Sequence, residues 1–216
     1  MPASHIVEAG EHLGSIAHKF GFANFSVLWD HPANARLKAL RKQPTQLAPG
    51  DEVFIPDRVR LVFQRLTDSA HDFRIHVDTL TLALRLLDLD GKPRKNVTVI
   101  MRVEEPESGG ASRQFERKLV TDADGSVSVK MATHVDSGSI EVDGLIFPLR
   151  IGGLDPIGTD GGVTQRLRNL GYLPFDDELD STQLELAVED FQVDNGLELT
   201  GDPTDIRDKL EEVYGG

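Results

Sequence analysis

The sequence predicts an α+β protein built from several small domains: a strand–helix–helix–strand module over 1–58, a β-sandwich over 59–155 and a three-helix module over 156–216. Three observations carry this. At 216 residues the chain is too long for one minimal fold and suits two or three small ones. Its hydrophobic period is helical near both ends and two in the middle. Pro, Gly and Asp clusters punctuate the changes, at Pro49-Gly50 and again at Gly158-Thr159-Asp160-Gly161-Gly162.

In the first module His5 to Gly10 reads as a short strand ending in glycine. Leu13, Ile16, Ala17 and Phe20 then fall at helical spacing on one face, with Gly21 at the C-cap. A second helix starts from Asn24 as N-cap, carries Phe25, Leu28 and Trp29, and stops near His31-Pro32. After a basic stretch holding Arg36, Lys38, Arg41 and Lys42, the turn at Pro49-Gly50 leads into a closing strand over 51–56.

The segment Val7-Glu8-Ala9-Gly10-Glu11-His12-Leu13-Gly14-Ser15-Ile16-Ala17 resembles the opening motif of the LysM family, and Leu47-Ala48-Pro49-Gly50-Asp51-Glu52-Val53-Phe54-Ile55-Pro56 resembles its closing motif. The resemblance implies a βααβ fold that binds N-acetylglucosamine-containing glycan between two loops. By position it assigns Gly10, Glu11, His12 and Leu13 to one side, and Leu47, Ala48, Pro49 and Gly50 to the other. Glu11-His12 stands where the family has Asp-Thr, and the stretch 32–46 is longer than usual.

Between 58 and 151 the pattern alternates: Val97, Val99, Met101 and Val103 face one way, and Val127, Val129 and Met131 repeat the rule. Further strands are expected near 72–78, 81–88, 115–121, 138–142 and 145–151, with turns at Asp88-Leu89-Asp90-Gly91, Asp122-Ala123-Asp124-Gly125 and Asp143-Gly144. About seven short strands suggest a β-sandwich. Leu89-Asp90-Gly91-Lys92-Pro93 together with Thr121 to Val127 resembles transthyretin-like and immunoglobulin-like domains, which implies a spacer or docking surface. His71, His76 and Asp78 are the close His and carboxylate group here; strand alternation puts His71 on the other face from the pair, so no metal site is expected. Glu104, Glu105 and Glu107 run into Ser108-Gly109-Gly110-Ala111-Ser112, a loop that would not fix an acid–base separation.

Beyond Gly162 the helical period returns with Val163, Leu167 and Leu170, and Gly171 as terminator. A second helix opens on a capping box of Thr182 and Glu185 and buries Leu184, Ala187, Val188 and Phe191. A third starts from Asp202 as N-cap with Pro203 in its first turn, and buries Ile206, Leu210 and Val213. Gln165-Arg166-Leu167-Arg168-Asn169-Leu170-Gly171-Tyr172, Ala187-Val188-Glu189-Asp190-Phe191-Gln192 with Gly196-Leu197, and Thr200-Gly201-Asp202 resemble, in order, the three pieces of the peptidoglycan-binding domain type 1 family. Phe175-Asp176-Asp177-Glu178-Leu179-Asp180 replaces the family's loop between the first two helices. Helical periodicity already explains Leu167 and Phe191 as core, so a carbohydrate site is expected near Tyr172 and Gln192, with Leu173 and Pro174 beside them.

The formal charge of −13, concentrated in the third module, excludes nucleic acid as the main partner, because phosphate binding rests on clustered Lys and Arg. The chain lacks cysteine, so neither disulfides nor thiolate metal sites staple these domains. Met1-Pro2-Ala3-Ser4-His5 shows no basic region leading into an apolar one, and no apolar run reaches the roughly 18 residues of a span. The expectation is therefore no signal peptide and no membrane insertion, with synthesis and retention in the cytoplasm unless a specialised machine exports the protein to the periplasm or cell wall. No HExxH, GxSxG or P-loop occurs, so neither catalysis nor a cofactor is expected. Together the resemblances imply a bacterial non-catalytic adaptor for peptidoglycan or chitin-like glycan. They also fit a structural part or cargo adaptor of a contractile injection or type VI secretion machine, with spike or baseplate proteins as partners.

Overall fold

A computed structural model describes residues 2–41, 43–59, 64, 67–72, 77–88, 90–106, 112–174 and 179–214. The chain is a mixed α+β protein with antiparallel sheets and divides into two compact units, Met1–Thr45 with Pro49–Gly153, and Gln46–Ala48 with Leu154–Gly216.

In the first unit β1 (Ala3–Ile6) pairs antiparallel with β2 (Glu52–Ile55), His5 opposite Val53. Between them run α1 (Leu13–Lys19), α2 (Ser26–Trp29), a 3-10 turn (Pro32–Asn34) and α3 (Ala35–Arg41). Leu13, Ile16, Ala17, Leu28, Trp29, Leu37, Val53 and Ile55 are buried. Each large aliphatic side chain sealed in this way contributes about 1.5–3 kcal/mol. Asn34 ties the helices to the strands, its Nδ2 donating to Leu28 O and Phe54 O while its Oδ1 accepts the Phe54 N–H.

Two features of this region differ from the sequence expectation. Asn24 does not cap α2. Its Oδ1 accepts the Asp78 N–H at 3.0 Å, and the Asp78 carboxylate accepts the Ser26 N–H at 3.1 Å, so the cap comes from a residue 52 positions away. The basic stretch after Pro32, to which the sequence assigned no element, contains α3. Two of its cations are held by carboxylates, Arg41 Nε to Asp51 at 2.7 Å and Lys38 to Asp30 at 2.6 Å, with Lys38 also 5.6 Å over the Trp29 ring. Arg36 is exposed, and Lys42 lies outside the described residues.

The strands β3 (Thr79–Arg85) and β6 (Ser126–Ala132) form one antiparallel sheet. The other runs β5 (Ser112–Val120), β4 (Thr98–Pro106), β7 (Ser137–Val142) and β8 (Leu145–Arg150) in that spatial order. Val99, Met101, Val103, Val127, Val129, Met131, Ile140 and Val142 from the two sheets share one core, as their alternation demands. The strand expected near 72–78 falls largely on residues outside those described. Among the described residues β8 pairs only with β7, Ser139 opposite Pro148, and it exposes Leu145, Ile146 and Phe147.

The second unit holds α4 (Asp160–Leu170), α5 (Ser181–Asp194) and α6 (Arg207–Tyr214) around Val163, Leu167, Leu173, Ala187, Val188, Phe191, Ile206 and Leu210. Leu167 and Phe191 are fully buried, which makes them core. The helix caps differ from the sequence expectation. Asp180, in extended conformation, caps α5 with Gln183 as its reciprocal partner, so Thr182 and Glu185 lie inside the helix. Asp202 and Pro203 belong to a turn before α6, where Asp202 Oδ1 accepts the Thr204 N–H at 2.7 Å. Val213, expected in the core, is 45% exposed on the outer side of α6.

Candidate functional site

The loops after β1 and before β2 issue from one pair of backbone hydrogen bonds, Val7 N–H to Asp51 O at 2.8 Å and Gly50 N–H to Val7 O at 2.9 Å. Gly10 closes a turn in which the Glu11 N–H meets Glu8 O, and the Leu13 N–H is held by Pro44 O at 3.1 Å. Of the eight loop residues singled out from the sequence, Gly10, Pro49 and Gly50 are exposed and Glu11 is half-buried, whereas His12, Leu13, Leu47 and Ala48 are buried. Glu11 is already committed: it accepts from His5 at 2.6 Å, from Lys19 at 3.0 Å and from the Glu8 N–H. Partial burial pushes its carboxyl up, but these hydrogen bonds outweigh that and hold it below the ordinary value.

His12 is the N-cap of α1. Its Nδ1 accepts the Gly14 N–H at 3.2 Å, and Ser15 Oγ accepts the His12 N–H, closing a capping box. An accepting Nδ1 places the ring proton on Nε2, which is buried and has no hydrogen-bond partner among the described residues. Burial lowers the imidazole pKa below its ordinary value, against smaller opposing influences from Asp136 and Glu11. Two glycines wall the ring. A Cβ on Gly152 would stand 2.4 Å from His12 Cδ2, and one on Gly14 would stand 2.5 Å from Thr133 O. These close approaches fasten α1 to the segments that follow β6 and β8, and the His18 ring stacks on that of His134 at 4.2 Å and 17° in the same contact.

In the second unit the two selected residues are held by internal partners. Gln192 is 1% exposed; its Oε1 accepts the Thr200 and Gly201 N–H groups at 3.0 and 3.1 Å, and its Nε2 donates to Thr200 Oγ1 at 2.9 Å. It therefore staples the turn after α5. Tyr172 is half-buried, meets Phe191 edge-on at 5.5 Å and donates to Asp194 Oδ2 at 2.9 Å. Burial first, then the Asp194 hydrogen bond and charge, push its phenol up to about 12. Leu173 is buried and Pro174 exposed, while residues 175–178 of the neighbouring loop lie outside those described. Sequence reasoning missed Arg166. It is buried, donates to Asp155 O and Gly162 O at 2.9 and 2.8 Å, and lies 5.6 Å over the Tyr214 ring.

The remaining candidates do not converge. Asp78 is engaged at α2, His71 sits within 3.4 Å of Ser69, and His76 is outside the described residues. Among the described residues no group of three or more His, Asp or Glu side chains is placed to hold a metal ion. Glu104 is exposed on β4, and Glu107 lies outside the described residues. A cleft of about 250 Å³ opens between the two sheets, lined by residues that include Met101, Val103, Val129, Met131, Arg117 and Lys130. The described helices include none long and apolar enough to cross a membrane. No protein-family model, curated protein or solved structure matches the chain.

Proposed function

We propose that this protein is a non-catalytic adaptor that binds or anchors to peptidoglycan or a chitin-like glycan, through an N-terminal LysM-type module and a C-terminal peptidoglycan-binding type 1 module separated by an immunoglobulin- or transthyretin-like sandwich. The observation that carries this reading is the pair of exposed loop tips, at Gly10 and at Pro49–Gly50, springing from the hydrogen bonds of Val7 with Gly50 and Asp51. Bare backbone at a shallow surface suits a sugar, which is held by hydrogen bonds along its edge. The two helices α1 and α2, which with α3 lie between the paired strands β1 and β2, and the three helices of the second unit add support.

The test is retention of the full chain on purified peptidoglycan. Wild type is expected in the pellet and the Gly10→Asp, Gly50→Asp double variant in the supernatant, with Trp29 fluorescence confirming that the variant is folded. Failure of the wild type to sediment removes the glycan reading.

A second reading, a structural or cargo-carrying part of a contractile injection or type VI secretion machine, is favoured by the enclosure of His12 and Leu13, two of the positions the family would offer to sugar. Loops closed by their own chain serve a docking frame better than an open groove. Co-purification with spike or baseplate proteins checks it.

A further inference from the structure

We infer that His12 is an acid-released latch: protonation of its ring frees helix α1 and the Gly10–Leu13 loop from the segments 133–136 and 151–153. His12 uses Nδ1 as an acceptor for the Gly14 N–H and keeps Nε2–H in a sealed position with no partner among the described residues. A proton can enter only at Nδ1. Its arrival turns the acceptor into a donor facing the Gly14 N–H, so the α1 cap is lost, and it leaves a cation in a site closed by Gly152. Neutral His12 is compatible with the fold; charged His12 is compatible only with an opened one.

Charged groups face the ring from two sides. From its own loop Glu11 favours the charged form, but that carboxylate is shared between His5 and Lys19. From the segment after β6, Asp136 also favours it, and His134 stacks on His18. The Ile151-Gly152-Gly153 segment brings no charge. Burial outweighs the two carboxylates, so the folded state binds the proton more weakly than the unfolded chain. The contribution of His12 is thus fully present above the ordinary histidine pKa and is lost as pH falls through the lowered folded value.

The latch stands without the glycan reading; only its consequence, that acid uncovers His12 and Leu13 for a ligand, rests on that reading. Amide hydrogen exchange of the full chain tests it, corrected for intrinsic rates. Between about pH 7.5 and about pH 5.0 the protection of Ile16 and Ala17 is expected to fall about tenfold or more while that of Phe191 holds. His12→Asn, which offers Oδ1 to the Gly14 N–H and does not titrate, is expected to abolish the change. Constant protection in the wild type, or an equal loss in His12→Asn, overturns the proposal. Should that variant not fold, the wild-type His12 resonances decide: ionisation coincident with loss of α1 protection supports the latch, and ionisation with α1 still protected overturns it.

Discussion

His12 in the first unit and Gln192 in the second are both sealed polar side chains at the junction of a helix and a tight loop, yet they are served differently. Gln192 has three short hydrogen bonds, to Thr200 and Gly201, and both its amide atoms are occupied. Among the described residues His12 has one side-chain hydrogen bond, and its Nε2–H has no partner. An amide with both its oxygen and its nitrogen engaged is a permanent staple, indifferent to pH. A half-paired imidazole is conditional, because its protonation state decides whether its one bond exists. The first unit therefore has a joint that solution conditions can open, and the second, where most of the formal charge lies, is fixed by neutral contacts at its corresponding turn.

The chain supplies reporters for each side of this contrast: Trp29, its single tryptophan, sits in the first unit, and Tyr172 and Tyr214, its two tyrosines, in the second. The largest expected effect is Gln192→Leu, which strands the Thr200 and Gly201 N–H groups and costs about 2–4 kcal/mol. Denaturant unfolding followed by tyrosine near-UV dichroism should show the loss, equal at pH 5 and at pH 7.5. Next comes Gly14→Ala. Its Cβ meets the Thr133 carbonyl oxygen at 2.5 Å, and neither backbone can yield cheaply, so roughly 1–3 kcal/mol is expected from the Trp29 signal with the tyrosine signal unmoved. Smallest is Tyr172→Phe, which removes the hydrogen bond to Asp194 for about 0.5–1.5 kcal/mol. It should also delete the phenol that titrates near 12 in an alkaline absorbance titration.

Much of the scaffold was legible because local pattern and final environment agree. The alternation of Val99, Met101 and Val103, and of Val127, Val129 and Met131, is satisfied in a core shared by two sheets, and the spacing of Leu167 and of Phe191 is satisfied among the second unit's helices. Helix α3 was missed because only Leu37 of its residues is buried, so it has no apolar stripe, although Ala, Arg, Leu and Lys are all strong helix formers and propensity alone would have found it. The cap of α2 was misassigned because the group that provides it, Asp78, is remote in sequence. The same is true of the candidate site. A family motif located Gly10 to Leu13 and Leu47 to Gly50, but the segments that enclose His12 come from residues 133–136 and 151–153, and nothing local to position 12 announces them. The close approach of a glycine to a ring 140 positions away is a property of the fold.

Pro148 has a consequence for how this protein behaves at high concentration. Ile151 donates its N–H to Asp136 across the β7–β8 ladder, and the antiparallel alternation then turns residues 149 and 147 toward β7 and 150, 148 and 146 outward. The outward donor missing at 148 falls beside Leu145, Ile146 and Phe147, the apolar run that would otherwise invite another strand. A growing cross-β stack requires every rung, and this edge lacks its middle one.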